Sequence, residues 1–154
     1  MLGKIKNVGT FVDEGYTWVL SEGSPQTEYY KGHNTLHYHH FSPEIDWLED
    51  FAKETFSKFS MIIIKQMPGM VIPNHVDKYY HFKNQHQVPS DTRIHRANVF
   101  LQDWKSGHYF EAGEKPIVNW KAGDYCVLDN SVWHRSGNVG DEPKYTAQIT
   151  GIKL

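Results

Sequence analysis

Hydrophobic positions along the chain change their period near residue 60. Over residues 42–59, Ile45, Leu48, Ala52, Phe56 and Phe59 recur at three- and four-residue steps. That spacing predicts an amphipathic helix, with Ser42 placed to cap it and Pro43 at its first turn. Beyond it the period shortens and the apolar runs become brief. Residues 61–67, 97–101, 108–110, 117–120, 124–128 and 145–152 read as strands, and Val71 and Ile72 anchor another. The strands are separated by turn residues such as Pro68-Gly69, Ser106-Gly107, Ala122-Gly123-Asp124 and Gly140-Asp141. Upstream, the run GYTWVL reads as a strand and SEGSPQTEYYKGHNT as loop. The polar, Tyr- and His-containing stretch 79–92 is too long for a tight turn and is expected to be a mobile loop over a site. One helix followed by many short strands predicts a mainly β fold, an antiparallel barrel or jelly roll with one major packing helix.

A chain of 154 residues fits one domain, residues 1–154, that buries roughly two-thirds of the surface of its unfolded form. The net charge of −2 has no basic block, so nucleic acid is not an expected partner. The longest aliphatic or Met run, residues 61–64, is far too short for a bilayer span, and the opening residues have no signal-peptide core; a cytoplasmic location is expected. The single cysteine, Cys126, lies in the alternating run YCVLD and reads as a buried strand residue rather than a nucleophile. Trp104, Trp120 and Trp133 read as packing residues. Tyr79, Tyr80 and His81 are placed to overhang a site.

The candidate chemistry lies in PGMVIPNHVD and GDYCVLDNSVWHRSGN. His75 and Asp77 are two apart, so on an extended strand both face the same side. His134 stands 59 positions later, a separation that jelly-roll strands can bridge. Two imidazoles and one carboxylate on one face of a metal leave three positions open, which suits non-haem Fe(II). Ten residues beyond His134 stands Lys144, and two further Thr146; a cation and a hydroxyl two apart on one strand can together hold a carboxylate. The cluster His37-Tyr38-His39-His40 has no carboxylate in register and reads as an aromatic, polar strand rather than a second metal site. Arg135 and Asn138, close to His134, line the site or close a turn, with Asn138 leaning to the turn.

Over residues 61–152 these ordered parts resemble the Fe(II)/2-oxoglutarate-dependent oxygenases, with their His-x-Asp, distal His and basic residue about ten positions beyond. TRIHRANVFLQDW, WKAGDYCVLDNSVWHRSGN and KYTAQ resemble the aspartyl/asparaginyl β-hydroxylase branch. The resemblance implies a double-stranded β-helix (jelly roll), iron ligands His75, Asp77 and His134, and cosubstrate contacts from Lys144, with Arg93 and His95 at the Arg-x-His positions. It implies Fe(II), 2-oxoglutarate and O₂ as cofactor and cosubstrates; a chain this small has little room for an added recognition domain, so an amino acid, short peptide or protein side chain is the expected substrate. Two departures stand out: Asp77 occupies a position that is Gly in the animal β-hydroxylases, and Lys144 replaces Arg, keeping the charge without the bidentate fork. The competing readings of the residues are a cupin-like metal enzyme and a catalytically silent jelly-roll binding module. Arg93 and His95 could equally be surface residues of an edge strand, and Lys144 a solvated strand start.

Overall fold

Strand β11, Lys144–Lys153, shows how the chain separates its two environments. Its odd positions Ala147 and Ile149 are apolar and fully buried, while Lys144, Thr146, Gln148 and Thr150 alternate with them on the opposite face. The same division holds on the strands flanking β11, β4 (Phe56–Gln66) and β6 (His95–Phe100). On both, odd positions such as Met61, Ile63, Ala97 and Val99 join one apolar cluster, and even positions face the other way. Each strand is therefore apolar toward one layer and partly polar toward the other.

The computed structural model describes residues 2–21 and 37–154. Two short strands, β1 (Gly3–Lys4) and β2 (Val19–Ser21), precede β3 (His37–Phe41), and α1 (Asp46–Thr55) runs into β4. After β5 (Val71–His75) come α2 (Tyr80–Gln85), β6, β7 (His108–Ala112), β8 (Lys115–Ile117), β9 (Asp124–Asp129) and β10 (His134–Asn138), and β11 closes the order. A seven-stranded sheet has the order β1-β9-β6-β11-β4-β3-β2, and a four-stranded sheet the order β5-β10-β7-β8. All pairings are antiparallel. The fold is a mainly β double-stranded β-helix, or jelly roll, with one packing helix.

Helix α1 lays Leu48, Phe51 and Ala52 on the odd-numbered face of the large sheet, where Ile5, Phe11 and Trp18 of the N-terminal segment also pack. The even-numbered face meets the small sheet across a second cluster of Phe100, Phe110, Trp120 and Leu128. There Phe100 and Trp120 stack at 3.9 Å with planes 10° apart. An aromatic pair of this kind adds about 0.5–1.5 kcal/mol beyond its area burial.

Several expected boundaries move, each for a local reason. The helix covers residues 46–55 rather than 42–59. Ser42 has a left-handed φ of 51° and its N–H donates to the Met61 carbonyl, so it belongs to the sheet margin and caps nothing. At the other end Phe56 pairs with Lys153, and β4 starts where the helix stops. Expected strand 117–120 becomes β8, residues 115–117, and Trp120 is spent on the inter-sheet core. Of the expected strand GYTWVL only Val19 and Leu20 pair, in β2, which extends one residue further to Ser21. Residues 22–36, most of the expected loop, lie outside the described residues. The stretch 79–92 is no open loop: α2 buries Tyr79 and Phe82 against Ile94. Strand β10 went unanticipated because His-Arg-Ser-Gly-Asn has almost no apolar alternation, and it forms by pairing on both sides with β5 and β7.

Candidate metal centre

Gly69, at φ 93°, makes the turn that sends the chain from β4 into β5, and β5 ends on His75. His134 opens β10, the strand paired with β5, and the register sets His134 directly opposite His75. A cross-strand pair of imidazoles results, with ring centroids 4.3 Å apart. Asp77, two residues beyond His75, completes the group. One ligand atom from each of the three side chains can be chosen so that all lie within 4.8 Å of one another.

The distances are 3.6 Å from His75 Nε2 to Asp77 Oδ1 and 3.2 Å from His134 Nε2 to Asp77 Oδ2. On the far side of each ring, Nδ1 lies at hydrogen-bond distance from a carbonyl, Pro73 at 2.7 Å for His75 and Val132 at 3.0 Å for His134. With Nδ1–H donating to those carbonyls, the neutral tautomer places a lone pair on each Nε2, turned toward the carboxylate. Such a group of two imidazoles and a carboxylate is held together either by ring protons shared with Asp77 or by a metal ion in their place, so the donor set fits a metal ion. Burial works to raise the Asp77 pKa, but interactions with His134 and His75 and the charge of Arg96 outweigh it. The carboxyl is held well below the ordinary range and stays ionised.

Arg96 is the neighbour that residue spacing alone did not select. Its Nη1 donates to Asp77 Oδ2 at 2.9 Å, and its Nε to the Thr150 hydroxyl at 2.8 Å. The ion pair is about four-fifths buried on both sides, so it fixes the carboxylate more firmly than an exposed pair would. His95 and Arg96 are neighbours, yet a strand sends them to opposite faces. Arg96 shares the inner face with Asn98 and Phe100. A polar Arg-x-Asn alternating against Ala97 and Val99 was the signal available in the sequence.

Triad and Arg96 form one end of a cavity of about 140 Å³ between the two sheets. Lys144 and Thr146 line the same cavity, brought there by β11, which runs beside β6. Lys144 is 2% exposed, and its Nζ donates to Gln66 Oε1 at 3.1 Å. It also lies 6.0 and 5.8 Å from the ring centroids of Phe110 and Trp120. Burial pushes its pKa down to about 7. His37, the first residue of the His-Tyr-His-His cluster, also lines the cavity, and burial lowers it to about 4, so it is neutral. Its neighbours belong to β3, an ordinary strand pairing with β2 and β4.

The remaining sequence-derived residues lie elsewhere. Arg93 is exposed and paired with Asp129 at 2.8 Å, and His95 faces away from the cavity lining. Arg135 pairs with Glu111, 2.7 Å away. Asn138 is fully buried and ties the end of β10 to the Gln66 and Glu142 carbonyls through its amide. Tyr80 is exposed, while Tyr79 is buried with its ring 5.2 Å from the Arg96 guanidinium. Trp120 is a core residue and Trp133 is partly exposed.

No family model matches this chain, and no curated protein does. Solved structures do. A Pseudomonas putida prolyl-4-hydroxylase is 13% identical over 77% of this chain and 72% of its own, with a TM-score of 0.57. The viral collagen prolyl hydroxylase of Paramecium bursaria Chlorella virus-1, solved as its 2OG complex, is 15% identical over 75% and 79%, with a TM-score of 0.53. A predicted oxalate decarboxylase from Thermotoga maritima is 16% identical over 90% and 94%, also at 0.53. At these identities the likeness is one of fold, shared with prolyl hydroxylases and a predicted decarboxylase alike, and it does not single out the aspartyl/asparaginyl branch. Among the described residues no helix is long and apolar enough to cross a membrane.

Proposed function

We propose that this protein is an Fe(II)- and 2-oxoglutarate-dependent dioxygenase, hydroxylating an amino acid, peptide or protein side chain. One observation carries the reading: a cavity with His75, Asp77 and His134 at one end holds a buried lysine with no acidic partner among the described residues. Burial leaves this lysine poised to lose its proton near neutral pH, an anion beside it would hold the charged form, and a metal-chelating dicarboxylate would satisfy both ends at once. The chemistry supplied by Fe(II) when bound is activation of O₂ against 2-oxoglutarate, giving succinate and CO₂ and adding one oxygen atom to a C–H bond.

The chain's own residues divide the work. His75 and His134 offer Nε2, with their tautomers held by the Pro73 and Val132 carbonyls. Asp77 contributes the charge, and Arg96 keeps its carboxylate from turning away. Lys144 and Thr146 would receive the distal carboxylate by one charge-assisted and one neutral hydrogen bond. Phe110 and Trp120 exclude water beside Lys144, which strengthens that contact. Arg93 and His95 have no part in this arrangement.

The test is formation of succinate from 2-oxoglutarate by the protein supplied with Fe(II) and O₂; slow turnover without substrate suffices. His134→Ala is expected to lose both succinate formation and tight metal binding. A cupin-like enzyme or a silent module predicts no succinate. A wild-type protein that binds iron yet forms none would remove the dioxygenase reading.

A further inference from the structure

Beside the metal cavity lies a second, more open space of about 490 Å³, bounded on one side by Tyr79, His81, Phe82 and Gln85 and on the other by the middle of β4 and β11. Arg96 and Gln148 line both spaces, so the two meet across these side chains. The reason is the sheet register. Asn98 pairs with Gln148, and Arg96 pairs with Thr150 one step nearer the strand end. The inner face of the large sheet thus runs from Lys144, through the metal-binding level, to Arg96 and out into the groove.

Groove walls are largely apolar, with Phe41, Ile62 and Phe82, and its size is within the range of small-molecule sites. Its charge is carried at the inner end by Arg96. That guanidinium uses Nη1 on Asp77 and Nε on Thr150, and among the described residues Nη2 donates no hydrogen bond. The charges lining the two spaces are Arg96 and Lys144 against Asp77, a surplus of one positive charge. On the dioxygenase reading a divalent metal and a dianionic cosubstrate cancel, and the surplus remains. A carboxylate reaching Nη2 would neutralise it in a largely buried setting where charge-assisted hydrogen bonds are strong.

We infer that the groove is the substrate site and that its occupant is a small free carboxylic acid, its carboxylate on Arg96 and its apolar body along Ile62 and Phe82. This rests on the dioxygenase reading for what happens to the bound acid, but not for the binding itself. Arg96 then serves as a specificity-determining residue as well as the support of Asp77.

The probes are 3-phenylpropionate and its neutral amide, titrated by ligand-observed NMR into the full chain with and without Zn(II) as a redox-inert metal. The acid is expected to bind about tenfold more tightly than the amide, the ratio given by one such charge-assisted contact. Arg96→Gln should erase the preference. Ile62→Trp, which fills the groove and leaves the metal cavity's lining intact, should remove binding of both. Equal binding of acid and amide, or no binding of either, overturns the inference and needs no variant to fold. So does a preference that survives Arg96→Gln, which would make that residue a support for Asp77 only. Tighter binding of an acidic peptide than of the free acid would also overturn it, in favour of a protein side chain. Succinate formation in the same preparations keeps the two ideas apart: succinate without selective binding removes the carboxylate site alone, and selective binding without succinate removes the dioxygenase alone.

Discussion

Replacing Lys144 by Met should make the protein more stable at slightly acid pH while destroying cosubstrate binding, a combination expected of a residue kept for function. Burial lowers the Lys144 pKa from 10.5 to about 7. At about 1.4 kcal/mol per tenfold change, the buried ammonium costs the folded state on the order of 5 kcal/mol. Met keeps the length and most of the packing. Against the gain, Gln66 loses one hydrogen bond and Phe110 and Trp120 lose a cation, together about 2–3 kcal/mol. The net expectation is a stabilisation of roughly 2–3 kcal/mol at pH 6.5.

The sign of its pH dependence comes from proton counting. Below about pH 7 both folded and unfolded chains hold the Lys144 proton, and the wild-type deficit is constant. Between about pH 7 and 10.5 the unfolded chain holds it and the folded chain does not, so wild-type stability rises across that window. The gap between variant and wild type should therefore shrink by about 3 kcal/mol from pH 6.5 to 9.5. Urea unfolding of both proteins at the two pH values measures this difference, and titrations common to both cancel. A variant less stable than wild type at pH 6.5, or a gap that ignores pH, would refute the account of Lys144 as an expensive buried cation. With Zn(II) present in both samples, adding 2-oxoglutarate should stabilise only the wild type further, by about 2–3 kcal/mol at a hundred times its dissociation constant.

Thr146→Val keeps the shape and removes one neutral hydrogen bond, so the KM for 2-oxoglutarate is expected to rise about five- to tenfold with kcat nearly unchanged in a succinate assay. Phe100→Ala empties the stack on Trp120 in a fully buried position; a loss of about 3–5 kcal/mol in denaturant unfolding is expected, against less than about 1 for a surface change such as Lys121→Ala. Burial pushes the Cys126 thiol up to about 12, so at pH 8 it should resist a thiol-specific chromogenic reagent until the protein is unfolded. Rapid labelling of the native protein would place Cys126 outside the packed strand.

Strand faces explain which residues could be read in advance. His75, Asp77, His134, Lys144 and Thr146 were legible because their chemistry depends on type and spacing, and a two-residue step fixes a shared face wherever the chain is extended. The alternating strands and the apolar stripe Ile45, Leu48, Ala52 and Phe56 were legible for the same reason, since local periodicity reports burial directly. By contrast, Arg93 and His95 matched a pattern but lie before the strand's inner-facing positions or on its outer face, and one step along the strand it is Arg96 that lines the cavity. Helix ends, the packing of α2 and the existence of β10 depended on partners distant in sequence, such as Lys153 for Phe56 and β5 and β7 for His134. Residue order was enough to specify a β-rich chain carrying a candidate metal-ligand set with a cation and a hydroxyl in step behind it. Which of those groups share one cavity, and that Arg96 divides it from a groove, came from the folded arrangement, because pairing between strands far apart along the chain sets both.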